Sequence, residues 1–289
     1  MERIVYCLAM ALSWLPLWLL YGVSSAVAWL ASTFHLYRYR TVRGNIDLAF
    51  PEKSEEERRK IIRGFYRHLT DSAVESLKLL SISDKAIRCR VSHVGWEQLE
   101  HQVDVQRPVV LYLGHYGNWE VIPSIVWVIP PEFTCAQIYK PMHNALGHTV
   151  LERIRNRFGA LNIPQKKAFR TLLGFAREGK LSITGFIADQ RPNGKFQHWT
   201  RFLGLPTAFV TGGEEIGDRI HADYYYIDIE QPRRGHTVLT LKRLEPLPEA
   251  PDYPYTRAYW KALEATIRRN PALWLWSHKR WSNQLEHKM

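Results

Sequence analysis

The sequence predicts an α/β fold: a mixed, largely parallel sheet flanked by helices, preceded by an N-terminal membrane-anchoring helix. Three observations carry this. Residues 4–34 run without a charge, and no second run of that kind follows. After residue 90, short apolar runs alternate with stretches of helical spacing, the pattern of strand–helix–strand units. At 289 residues, 46% hydrophobic and with 11 Trp, the chain can bury one large core and is not disordered.

The apolar run comes first. As one helix, residues 4–34 would measure roughly 46 Å, more than the ~30 Å of bilayer hydrocarbon. Pro16 and Gly22 are expected to kink it, so it tilts or lies partly in the interface. A cleavable signal fits poorly, because the apolar region is too long and Arg3 is the only early base. A buried hairpin of core helices is the alternative. Arg38, Arg40 and Arg43 follow the run, against Arg3 with Glu2 before it, so the remainder is expected to face the cytoplasm. The expected division is an anchor over 1–36 and a domain over 37–289, at the inner membrane.

Ser54 and Glu57 form a capping box ahead of a long helix that carries Ile61, Ile62, Phe65, Leu69, Ala73, Leu77 and Leu80 at helical spacing. Residues 107–114, 133–139 and 181–188 read as buried strands, with helices over 142–159, 167–179 and 206–220. Residues 223–244 read as a hairpin turning at 233–236, and residues 255–270 as a last helix. Cys7, Cys89 and Cys135 are far apart in sequence, which suggests neither a disulfide framework nor a zinc site. They read as buried thiols, and no metal or cofactor is expected.

Of the 12 histidines, only His115 has an acid five residues on. It lies in "LYLGHYGNWEVIP" (111–123), just past a predicted strand, where open α/β sheets bind ligands. Gly114 and Gly117 allow close approach to a substrate. Asn118 is a natural N-cap, which puts Glu120 in a first helical turn. The loop then folds back and lets Glu120 hold the imidazole as a general base. A structural histidine bonded within the turn is the alternative. "GFAREGKL" (174–181) lacks the Ser or Thr of a phosphate loop and runs helix to strand, and no Gly-x-Ser-x-Gly elbow exists.

"GHYGNWE" resembles the His-x4-acid motif of the lysophospholipid acyltransferase superfamily. The chain as a whole is similar to the late (secondary) acyltransferases of lipid A biosynthesis. The likeness includes "VRGNIDLAFPEKSEEER" (42–58), "IYKPMHN" (138–144), "RNRFG" (155–159), "ADQRPNG" (188–194) and "NPALWLWSHKRW" (270–281). It implies a glycerolipid acyltransferase-like core in which His115 deprotonates a hydroxyl and Glu120 orients it. The hydroxyl belongs to a lipid A precursor, and the acyl donor is a thioester on acyl carrier protein. Gly117, Asn118 and Trp119 are then expected around the substrate. Lys140 stands where relatives often carry arginine and offers a point charge without the bidentate fork. Arg153 and Arg157 bind phosphate groups of donor or acceptor, or form a solvated basic face. Asp189 and Gln190 match an Asp-Gln element and are expected to shape the pocket floor. "QHWTRFLGLP" (197–206) departs from the family's Val-x-Phe-x-Gly, which leaves room for another acceptor such as an aminolipid.

The net charge of +11 suits an anionic partner, whether the acidic carrier protein or a membrane. Trp274, Trp276, Lys279, Arg280 and Trp281 suggest an interfacial belt rather than nucleic-acid binding. Two function classes remain: a membrane-bound acyltransferase and a non-catalytic lipid or carrier-protein scaffold.

Overall fold

The computed structural model describes residues 2–140, 145–192 and 197–281. The apolar run is two helices, α1 (Glu2–Ser13) and α2 (Leu17–Thr33), bent by 110° at their junction. Pro16 caps α2, where its fixed φ suits a helix start, whereas Gly22 leaves α2 unbroken. Among the described residues no single helix is long and apolar enough to cross a membrane. The outer face of the pair exposes Leu8, Leu12, Trp14, Trp18, Trp29 and Phe34. The inner face of α2 is a stripe of small residues, Ser24, Ala28 and Ala31, buried with Leu20.

That stripe packs on α4 (Glu55–Lys78), after the short α3 (Tyr39–Ala49). The capping box at the start of α4 is complete, with Ser54 and Glu57 each accepting the other's backbone N–H. Ile61, Ile62 and Phe65 are buried, as their spacing requires. α5 (Asp84–Arg88) then leads into the sheet.

In chain order the sheet takes β1 (Val91–Val94), β2 (Val109–Leu113), β3 (Thr134–Tyr139), β4 (Leu161–Pro164), β5 (Ser182–Ile187), β8 (Asp223–Arg233) and β9 (His236–Arg243). Between β5 and β8 a separate ribbon of β6 (Trp199–Phe202) and β7 (Leu205–Ala208) stands off the sheet. The sheet order is β1-β9-β8-β2-β5-β3-β4, and five of its six neighbour pairs are parallel; only β8–β9 is antiparallel. The connecting helices are α6 (Glu100–Asp104), α7 (Ala145–Asn156), α8 (Ala168–Arg177) and α9 (Gly212–Arg219), and α10 (Pro254–Arg269) follows the hairpin.

The predicted strands and the 223–244 hairpin match the observed ones closely. The start of the helix expected over 142–159 lies outside the described residues, as do 141–144 of "IYKPMHN" and Asn193 and Gly194 of "ADQRPNG". The helix expected from 206 begins only at Gly212, because Leu203 and Gly204, both at positive φ, turn the chain into a hairpin. Cys7 and Cys89 are exposed rather than buried.

The aromatic C-terminus also departs from expectation. Trp274, Trp276, Arg280 and Trp281 are core residues, all at most 3% exposed, and Phe202 stacks edge-on against Trp260 and Trp274. The same composition serves a core or an interfacial belt; here the indole rings fill the space beneath α10 and the ribbon.

Candidate active site

The site is built where two parallel neighbours end together. β2 and β5 run in register, Leu113 beside Ile187. His115 lies two residues past the end of β2 and Asp189 two residues past the end of β5. After β5 the chain crosses to β8 on the other side of β2, so the two side chains emerge where the connections diverge. That is where open sheets form their crevice. Tyr259 of α10 fixes the end of β2 by donating to the Leu113 carbonyl at 3.0 Å. At Gly114 a Cβ would meet Leu263 of α10 at 2.7 Å, so only glycine lets the helix lie this close. Gly117 has φ +60°, which glycine adopts without strain.

His115 Nδ1 lies 2.6 Å from Asp189 Oδ1, and the His115 backbone N–H donates to Oδ2 at 2.8 Å. Trp274 Nε1 donates to the same Oδ2 at 2.8 Å. Asp189 is 2% exposed. Burial pushes its carboxyl up, but the facing imidazole and these N–H donors outweigh that and hold it below the usual carboxylate range. An ionised Asp189 accepts Nδ1–H and leaves the lone pair on Nε2. The Gln190 amide nitrogen, 3.2 Å away and exposed, donates to it. Trp119 packs edge-on to the ring at 5.2 Å. Such an imidazole can take a proton at Nε2 while a buried carboxylate steadies the charge formed.

The expected contact between His115 and Glu120 does not form. Asn118 caps as anticipated, its Oδ1 accepting from Glu120 N at 3.3 Å. The segment it starts is a 3-10 helix, Trp119–Trp127. Its first turn directs the Glu120 carboxylate to Arg155 of α7, at 3.3 and 3.4 Å. Asp189 fills the position beside the imidazole, so the Asp-Gln element contributes a direct partner rather than a pocket floor.

The arginines also sort differently. Arg157 is spent on the Leu79 and Ile82 carbonyls and on Asp84 at 2.8 Å, tying α7 to the end of α4. Arg153 is exposed, its guanidinium 5.6 Å from the centre of the Tyr6 ring. Arg155, two residues from each, sits on the opposite side of the helix and is the one that reaches the loop. Lys140 is exposed just past β3.

The C-terminal segment closes the loop from above. Gly117 N–H donates to the Leu273 carbonyl at 3.0 Å and Leu275 N–H to the His115 carbonyl at 3.1 Å, flanking an antiparallel bridge between Tyr116 and Trp274. Trp274 is the contributor that sequence reasoning missed. Its place inside "NPALWLWSHKRW" was visible, but nothing in the pattern said which carboxylate its N–H meets.

Residues 3–283 match the family profile described as bacterial lipid A biosynthesis acyltransferase. The chain belongs to this family. It is therefore an acyltransferase, and the site above lies at the heart of the matched region. Among curated relatives, a lipid A biosynthesis palmitoleoyltransferase of Escherichia coli (strain K12) is 25% identical over 275 residues, covering 93% of this chain and 87% of that protein. A lipid A biosynthesis acyltransferase of Shigella flexneri matches with the same identity and coverage. Among the described residues there is no group of three or more His, Cys, Asp or Glu arranged to hold a metal ion.

Proposed function

We propose that this acyltransferase moves a fatty acyl group from a thioester on acyl carrier protein to a hydroxyl of a lipid A precursor, with His115 as general base. The observation that carries the mechanism is the bond between His115 Nδ1 and buried Asp189. His115 Nε2 takes the hydroxyl proton, and the oxygen attacks the thioester carbonyl. The C–S bond breaks as the tetrahedral intermediate collapses, and the imidazolium returns its proton to the departing thiolate. Asp189 keeps the ring in the required tautomer and offsets its transient charge. A positioned base of this kind contributes roughly 10²–10⁴-fold, enough for an acyl group already activated as a thioester. Glu120 supports the scheme indirectly, through Arg155 and the seat of α7.

The lipid acceptor sets where the work is done. The exposed apolar face of α1 and α2, with Trp14 and Trp18, suits a bent hairpin seated in one leaflet, an interfacial anchor for the domain over 37–289. Surplus positive charge, 39 Lys and Arg against 28 Asp and Glu, suits both an acidic carrier protein and an anionic membrane face.

The test is transfer of labelled acyl groups from acyl carrier protein to a lipid A precursor by membranes containing the protein. His115→Ala is expected to abolish transfer while circular dichroism stays unchanged. Full activity in that folded variant would refute the mechanism. Transfer to an aminolipid or lysophospholipid instead would replace the acceptor, and no transfer to any lipid would favour a binding scaffold.

A further inference from the structure

The face that α4 turns to the hairpin carries Asp71, Glu75 and Lys78, beside Thr70, whose Oγ1 donates to the Ser24 carbonyl at 3.1 Å. Each is bonded to the hairpin. Lys78 Nζ donates to the Ser13 and Leu15 carbonyls at 2.7 and 3.0 Å, closing the end of α1. Asp71 accepts from Ser24 and, at 2.7 Å, from Arg234 Nε, whose guanidinium also donates to the Tyr21 carbonyl and to Ser25. Glu75 is different, because it faces two ways. One carboxylate oxygen accepts from Tyr21 Oη of the hairpin at 2.8 Å, the other from Asn118 Nδ2 of the His115 loop at 3.1 Å.

We infer that the Tyr21–Glu75–Asn118 chain couples the seating of the N-terminal hairpin to the geometry of the His115 loop. Tyr21 and Glu75 act as positioning residues. The inference rests on the acyltransferase reading for its effect on turnover, but not for its effect on the loop.

Packing does not explain the arrangement. A small cleft lies between α2, α4 and the β1–β9 edge, walled by Leu17, Tyr21, Glu75, Asn118 and Val121 among others. On that side Asn118 borders the cleft, and its bonds to Glu75 and from Ser76 of α4, at 3.1 and 3.4 Å, help set where it sits. Asn118 is itself 3% exposed, and its other side-chain atom holds the Glu120 N–H, so displacing it unpins the first turn after His115. A buried amide is not left half-paired without local rearrangement. The hairpin bears the outward apolar face, so a shift of that face is passed through one phenol and one carboxylate to a residue three positions from the imidazole.

The experiment uses the full chain and the variants Tyr21→Phe, Glu75→Gln and the two combined. Tyr21→Phe is expected to lower kcat roughly tenfold to a hundredfold, in line with small misplacements of reacting groups, with KM within about twofold. Amide hydrogen exchange over residues 118–121 should quicken, while binding to vesicles of phosphatidylethanolamine and phosphatidylglycerol stays unchanged. Because Tyr21 acts through Glu75, the double variant should be no slower than Glu75→Gln alone. Unchanged exchange at 118–121 in Tyr21→Phe overturns the coupling, as does faster exchange with unaltered kcat or fully additive losses. Should the wild-type protein transfer no acyl group, the functional reading fails and the exchange measurement still decides the relay.

Discussion

Among the described residues, two histidine–aspartate pairs have nearly the same length, and only one has the makings of a catalytic dyad. His115 and Asp189 approach to 2.6 Å, His198 and Asp252 to 2.8 Å. Asp189 is sealed in, its other oxygen held by a backbone amide and an indole. Asp252 is 36% exposed at its side chain, and Arg257 grips it through two nitrogens. His198 is wedged edge-on against Tyr253 at 4.7 Å and also flanks Phe209. The second carboxylate is already neutralised, so it has little charge left to lend an imidazolium. A short bond between the residue types is common to both. What separates them is a dry acid held by N–H donors rather than by a guanidinium, and a ring Nε2 that meets the exposed Gln190 amide.

The comparison is broken most forcefully at Asp189. Asp189→Asn keeps the shape but no longer dictates the Nδ1–H tautomer, and kcat is expected to fall by about 10³–10⁴, the scale seen when a triad carboxylate is replaced by its amide. Glu120→Gln should lose far less, because Glu120 bonds Arg155 and not the ring. A steady-state assay of both variants checks this. Equal losses would restore Glu120 as the imidazole's partner.

Acid sharpens the contrast next. Burial pushes His68 down to about 4, and burial together with Arg280 does the same to His278 beside the proposed dyad. Both bind protons less readily folded than unfolded, so their stabilisation is complete above the ordinary histidine value near 6.5 and is lost as pH falls from there toward 4. For buried His68 a shift of this size corresponds to about 3 kcal/mol, and the partly exposed His278 contributes less because solvent screens it. Melting temperature should therefore drop between about pH 7 and pH 5. A flat profile would contradict the buried neutral rings.

The smallest effect belongs to the second pair. His198→Gln is expected to leave kcat within about twofold and to lower stability by about 1 kcal/mol, since it removes one partly exposed bond. A loss comparable to that of Asp189→Asn would erase the distinction.

Much of this was legible in the residues themselves. The apolar runs of β2, β3 and β5 and the capping box of α4 announce their elements through local rules of burial and capping. His115, Asp189 and Gln190 were each singled out. The partnership of His115 with Asp189 was not legible, because it depends on β5 inserting between β2 and β3, a matter of strand order that one sequence leaves open. Local spacing favoured Glu120 instead. The bend of α1 against α2 was half legible: Pro16 marked the place, but not a 110° turn. Arg155 was passed over in favour of its neighbours because helical phase cannot be assigned until the opposing surface is known.

The bridge between Tyr116 and Trp274 joins two segments far apart in sequence, and Asn45 donates to the Trp276 and His278 carbonyls from farther upstream still. During synthesis, then, the reaction centre stays unfinished until Trp274 leaves the ribosome. A chain cut short before Trp274 would possess both strands and the imidazole, yet its aspartate would have lost the indole that clasps it.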